Sequence, residues 1–208
     1  MKKLFSITTL SLIVNLVFAQ YDPEALAVLD AMSGKYKDAE AFKASFVQKL
    51  TNKDAGLDES ISGLITVKGD MYLLEVAGQK IFNNGSDVYS YSEEIEEVTV
   101  STYDPEEEEI NLGNVYDLYK EGFKYALLAE VQNGDRIIEL DPESRDKSYF
   151  KIRMNINSKD ELKSFTVYER TNNVYEFVIN DFEEISVEDS FFTFDPEKYP
   201  DVEVIDFR

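Results

Sequence analysis

The stretch ISGLITVKGDMYLLEVAGQKIFNNGSDVYSYSEEIEEVTV, from Ile61 to Val100, decides the fold. Turn signals at Lys68-Gly69-Asp70, Ala77-Gly78 and Asn83-Asn84-Gly85-Ser86 cut it into short runs rich in β-branched and aromatic residues, the pattern of consecutive strands. Loops this short cannot carry a crossover, so neighbouring strands are antiparallel. Alternation places Tyr72, Leu74 and Val76 on one face and Met71, Leu73 and Glu75 on the other. The wholly apolar face must be covered, and what covers it is the functional question.

Upstream, Ala41 to Lys49 alternates Phe42, Ala44, Phe46 and Gln48 against Lys43, Ser45, Val47 and Lys49, which predicts the first strand. Before it, Asp22-Pro23-Glu24 combines a capping acid, a proline at the first helical position and an acid in the first turn. The helix this predicts runs to about Asp38, with Leu26, Leu29, Met32 (or Ser33) and Tyr36 as its apolar stripe. Such a stripe suits an ordinary helix packed on a sheet and a movable lid equally well. At the start of the chain, basic Lys2-Lys3, an apolar run from Leu4 to Phe18 and small residues ending at Ala19 predict a signal peptide over residues 1–19. The run is too short and too rich in serine and threonine for a spanning helix. Residues 20–208 are then expected to form a single domain, exported and soluble, with no cysteine for lipidation.

Downstream of Val100, Glu106 to Glu109 lacks the interleaved turn residues of a calcium loop and reads as a solvated acidic loop. Asn114 then predicts the cap of a short helix running to Gly122, with Val115, Leu118 and Tyr119 on one face. Beyond it the chain is β again. Asn133-Gly134 marks a hairpin between Ala126–Val131 and Arg136–Leu140. Tyr149 to Ile156 alternates Phe150, Ile152, Met154 and Ile156 against Tyr149, Lys151, Arg153 and Asn155, and Leu162–Arg170 and Val174–Ile179 follow.

Composition narrows the chemistry. The chain has no histidine, cysteine or tryptophan, which removes histidine-based nucleophile systems and the common zinc sites. No glycine-rich phosphate loop is visible, so no cofactor and no metal are expected. The net charge of −21 disfavours nucleic acid as a partner. With 42 acidic residues, a paired-carboxylate hydrolase remains open, but no pair stands out.

Several segments resemble the periplasmic outer-membrane lipoprotein carrier (LolA) family. These are Lys68-Gly69-Asp70-x-Tyr72, Gly78-Gln79 and Asn84-Gly85-x-x-Val88-Tyr89-x-Tyr91 in the central meander, and Phe42-x-Ala44-x-Phe46-x-Gln48 in the first strand. Tyr119 to Tyr125 and the end of the chain, Phe191 to Pro196 with Tyr199-Pro200 and Val202 to Asp206, extend the likeness. The resemblance implies a mainly β fold with a few helices, an open, unclosed antiparallel β-barrel of about ten strands under a helical lid, a geometry that can leave a ligand cavity.

It also implies a function: not an enzyme but a carrier that shields the acyl chains of lipoproteins between membranes. Its expected partners are acylated lipoproteins, an inner-membrane lipoprotein-releasing ABC transporter and an outer-membrane receptor, and the carrier is expected to be monomeric. Phe46, Ile65, Val67, Tyr72, Leu74, Val76, Tyr89 and Tyr91 are the candidate cavity lining, with Leu26, Leu29, Met32, Val115 and Leu118 from the lid. Plain core packing is the alternative for each, since periodicity does not tell one face from the other. Where the family ties lid to sheet through an arginine, this chain has Lys68, which keeps the charge but loses the planar donor fork. An exported protein of the same fold that binds or senses other lipids, an exported hydrolase and a structural envelope protein are the alternatives.

Overall fold

The computed structural model describes residues 21–105, 110, 112–131 and 133–208. The expected signal peptide and the Glu106–Glu109 run lie outside the described residues. Helix α1, Pro23–Asp38, begins as the sequence predicts: the Asp22 carboxylate accepts from the Glu24 N–H at 2.9 Å, and Pro23 sits in the first turn. Ala25, Leu29, Met32, Ser33 and Tyr36 form its buried stripe. Lys35 and Lys37 occupy the last turn, where the helix dipole favours cations.

The strands are β1 (Ala41–Asn52), β2 (Leu57–Lys68), β3 (Met71–Val76), β4 (Gln79–Asn83), β5 (Asp87–Ser92), β6 (Glu97–Thr102), β7 (Phe123–Glu130), β8 (Arg136–Pro142), β9 (Tyr149–Ile156), β10 (Leu162–Glu169), β11 (Val174–Ile185) and β12 (Glu203–Asp206). They form one sheet in the order β12-β6-β5-β4-β3-β2-β1-β11-β10-β9-β8-β7, in which β12 and β7 are the two free edges, so the barrel is unclosed. The β3–β4 turn puts Ala77 and Gly78 both in left-handed backbone, at φ 49° and 77°, the twist that a two-residue hairpin needs.

Three expectations are corrected here. The sheet has twelve strands rather than about ten, and the twelfth is not antiparallel: β12 pairs in parallel with β6, Val204 opposite Val98. The long return from Ile185 to Glu203 supplies the crossover that a parallel pair requires. The helix expected from Asn114 to Gly122 is only a run of turns with a 3-10 segment at Leu118–Lys120. A segment this short has little helical stability of its own, and contacts with α1 decide its shape. The Ser33 hydroxyl donates to Asp117, and the Tyr119 hydroxyl donates to Asp30 at 2.7 Å.

Burial divides into two clusters. The larger lies on the concave face, where Ala25, Leu29, Met32 and Tyr36 of α1 join Ile138, Leu140, Ile152, Met154, Ile156 and Leu162 of β8, β9 and β10. The Tyr36 and Tyr116 rings stack at 3.7 Å, and Phe165 stacks on Phe177 at 4.4 Å. The smaller cluster lies on the convex face, where Phe192 and Phe194 from the segment between β11 and β12 cover Leu73, Phe82, Tyr91 and Val98. We call residues 186–202 the strap.

Candidate functional site

Register fixes which side chains face the concave side. Val67 pairs with Tyr72, Tyr72 with Asn83, and Asn83 with Val88, and directly opposed residues share a face. Tyr72, Leu74 and Val76 are therefore concave, together with Ile81 and Val88. By the same count Leu73, Phe82, Tyr89 and Tyr91 are convex. On β5 and β6 the concave positions carry Val88, Ser90, Thr99 and Ser101, a mostly hydroxylic surface.

The concave side holds a cavity of about 640 Å³. Phe46 and Gln48 of β1, Leu74 and Val76 of β3, Ile81 of β4, Val167 of β10, and Tyr175 and Phe177 of β11 form its wall. Ile110 and Leu112 cover it from the segment after β6. Its mouth lies between Ser101–Asp104 on one side and Lys147–Tyr149 with Glu169 on the other. Glu169 is held in place by the Thr171 hydroxyl at 2.9 Å and the Asn173 amide at 3.1 Å. Burial raises the Tyr149 hydroxyl above the ordinary tyrosine range, so it stays neutral and able to donate at physiological pH. Apolar walls with a polar rim suit an amphiphile whose hydrocarbon lies inside and whose polar end stays at the mouth.

Four of the eight candidate lining residues, Phe46, Tyr72, Leu74 and Val76, line this cavity. Ile65, with no exposed surface, and Val67 pack in the concave core beside it. Tyr89 and Tyr91 do not belong to it. They face the strap, with the Phe194 ring 6.3 Å from Tyr89 and 5.8 Å from Tyr91, and Tyr199 4.7 Å from Tyr91. The candidate lid residues are also placed differently. Leu29, Met32 and Val115 are fully buried core, and Leu26 and Leu118 pack against that core.

None of the five lines the cavity. The reason is that α1 fills the β7–β10 half of the concave face and is bolted there. The Asp22 N–H donates to the Tyr125 carbonyl at 3.2 Å, the Leu127 N–H donates to the Asp22 carboxylate at 3.0 Å, and Lys35 meets Glu161 at 2.7 Å.

Lys68, the lid-latch candidate, makes its contacts away from α1. It lies on the convex side of β2, where its Nζ donates to the Val187 carbonyl at 2.7 Å and meets Asp189 at 2.8 Å. The hydrogen bond it donates to Asp189 raises its pKa above the ordinary lysine value. It ties down the strap. A further departure from alternation reaches the mouth. The β9–β10 register shifts between Tyr168 and Glu169, and that irregularity turns Tyr149 toward the cavity while leaving Phe150 42 % exposed. Such a bulge re-aims a side chain beside a site, and strict alternation assigned these two residues the other way round.

Among known structures, the chain is similar to an uncharacterized conserved protein from Thermus thermophilus, with 12 % identity, a TM-score of 0.59, and 88 % of this chain and 99 % of that one covered. That likeness shows the fold. A LolA superfamily protein from Nitrosomonas europaea (13 % identity, TM-score 0.47, 82 % and 97 % covered) and the Mycobacterium tuberculosis lipoprotein LppX (14 %, 0.46, 80 % and 98 %) also match. No curated protein matches. The model of the outer membrane lipoprotein carrier protein LolA family matches residues 37–195, most of the chain, and the chain belongs to that family.

Proposed function

We propose that the protein is a periplasmic carrier, exported by its N-terminal segment, that takes up the acyl chains of lipoproteins in the concave cavity and moves them from the inner to the outer membrane. The observation that supports this is the apolar cavity of about 640 Å³ inside an unclosed sheet, a volume within the range of roughly 300–1,000 Å³ usual for ligand sites. Each methylene left in water costs about 0.8 kcal/mol, so an acylated protein does not cross an aqueous compartment unaided. The open mouth lets the chains enter while the cargo's polypeptide stays outside.

In this reading the site carries no catalytic chemistry and the protein works as a monomer. An ABC transporter in the inner membrane loads it and a receptor in the outer membrane unloads it. Both transfers require the next apolar surface to bind the chains more tightly than the last, because a carrier shifts an equilibrium only by its differential affinity. Depletion of the protein in its native cell tests the proposal. Acylated lipoproteins retained in the inner membrane are the expected outcome, and unchanged sorting would refute it. Mass spectrometry of the gently extracted protein separates cargo classes: acylated peptide supports lipoprotein transport, and free lipid alone points to a carrier of other lipids.

A further inference from the structure

A second chamber of about 260 Å³ lies further along the concave face. Its walls are Tyr36 at the end of α1, Phe42, Val67 and Tyr116. Phe42, Val67 and Tyr116 are 3 %, 4 % and 5 % exposed, so its floor is made of core side chains, while exposed Lys37, Gly69 and Asp70 leave its other side open to solvent. Two residues, Tyr72 and Tyr103, line both this chamber and the main cavity. Along β1 the chambers follow in order, Phe42 in the small one and Phe46 and Gln48 in the large one. The charged residues of the small chamber, Lys37, Asp70 and Asp117, belong to its outer rim, and Lys37 and Asp117 already meet at 2.7 Å. Gly69, Gly113 and Asn114 complete the lining, and the floor between Tyr72 and the α1 end is aromatic and aliphatic.

We propose that the small chamber is the far end of the ligand site, and that the terminal methylenes of a long acyl chain pass between Tyr72 and Tyr103 to reach it. This rests on the carrier reading above and deepens it: the main cavity accepts acyl chains in general, and the small chamber makes the protein selective for long ones. At about 30 Å³ for a group the size of a water molecule, the chamber has room for several methylenes. Each one buried there is worth about fourfold in affinity, from 0.8 kcal/mol per methylene and 1.4 kcal/mol per tenfold. Ala39 lines only the small chamber. Filling it from that position shortens the site without entering the main cavity.

The test is displacement of anilinonaphthalene sulfonate from the purified protein by short-, medium- and long-chain alkyl maltosides, each kept below its micelle concentration. For the natural sequence, affinity is expected to rise through the whole series. In Ala39→Phe the long-chain ligand is expected to bind at least tenfold more weakly while the short-chain ligand is unchanged. In Tyr103→Ala, which opens the partition, the ratio of long-chain to short-chain affinity is expected to rise, and this variant carries the test if Ala39→Phe gives no cooperative melt. A ratio equal to that of the natural sequence in both variants would overturn the proposal and leave the carrier reading standing. Failure of every maltoside to displace the probe from the natural protein would overturn the carrier reading, and this proposal with it.

Discussion

Gly63 is where the cavity wall is most tightly determined. It sits on β2 opposite Phe46 of β1 and Val76 of β3, both of which line the cavity. A Cβ placed on Gly63 would stand 2.4 Å from Phe46 Cζ, 2.7 Å from Cε1 and 3.0 Å from the Glu75 carbonyl oxygen. In Gly63→Ala the ring edge must therefore retreat by about 1 Å to reach ordinary contact. Its own strand and Phe177, whose ring centroid lies 6.3 Å away, limit the retreat, and the open direction is into the cavity. Overpacking of this kind costs about 1–3 kcal/mol. Loss of glycine's freedom in the unfolded chain returns about 0.4–1 kcal/mol.

The net expectation is a loss of about 1–2 kcal/mol, a fall in Tm of roughly 2–8 °C at this chain length, together with weaker amphiphile binding. Thermal melting and probe displacement on the same sample measure both. Because the clash is with one ring, Gly63→Ala combined with Phe46→Leu is expected to be more stable than the two single changes add up to, by about 0.5–3 kcal/mol. An unchanged or higher Tm in Gly63→Ala, with unchanged ligand affinity, would refute the placement of Phe46 between β2 and the cavity.

Three further outcomes follow from the strap and the ion pairs. Phe192, with no exposed surface, plugs the convex cluster, so Phe192→Ala is expected to cost about 3–5 kcal/mol. A urea titration would show this as a lower midpoint at constant slope, and the folded variant should still bind amphiphile because the residue faces away from the cavity. Lys68→Met removes the contacts to Val187 and Asp189. Hydrogen exchange in the strap is expected to speed up while exchange in α1 is unchanged, and a loosened α1 would instead restore the lid-latch role that the family resemblance implies. Acid is the third perturbation. Asp135 and Glu161 are held below the ordinary carboxylate range by hydrogen bonds from Lys163 and Lys35, and Asp22 by the Leu127 N–H. For Glu139, burial works upward but is outweighed by Arg153 and Lys151. Groups with lowered folded pKa values stabilise above their unfolded values and lose that contribution as pH falls through the folded ones. Tm should therefore hold or rise from neutral pH to about pH 5, as the self-repulsion of a chain at −21 eases. It should then fall below about pH 4. A decline that begins near pH 6 would show that other groups dominate.

The helix, the meander turns and the interrupted β pattern were legible because each has a local cause: a capping acid before a proline, glycines at positive φ, alternation over six to eight residues. Facing was legible only where register was counted. The Ala77-Gly78 and Asn84-to-Asp87 turns carry Tyr72 onto Asn83 and Asn83 onto Val88, so Tyr89 and Tyr91 had to be convex. The family resemblance places them in the lining, and nothing in β5 itself reveals that Phe192 and Phe194 return a hundred residues later to cover that side. The partners of Lys68 are hidden for the same reason, since Val187 and Asp189 are equally distant in sequence. The Tyr149 exchange with Phe150 was illegible in principle from one strand, because it arises from a register shift against β10.

The strap also explains how an apolar wall stays unfilled. Strands β3 and β4 present large apolar groups on both faces: Tyr72, Leu74 and Ile81 inward, Leu73 and Phe82 outward. Left alone, such a ribbon gains by folding one of its faces onto the nearest apolar surface, and the nearest is the opposite side of the same concave groove. The strap satisfies the outward face with Phe192 and Phe194 and is pinned by Lys68, while α1 packs over β7–β10 and reaches β1 and β11 only through Tyr36, which meets Phe42 and Phe182.

The β3–β4 part of the wall is thus supported from behind, and the mostly hydroxylic concave surface of β5 and β6 offers it little apolar surface beyond Val88. In the carrier reading, the parts expected to respond to loading are the short cover at Ile110 and Leu112 and the Tyr72–Tyr103 partition, with α1 staying where its hydrogen bonds to β7 hold it.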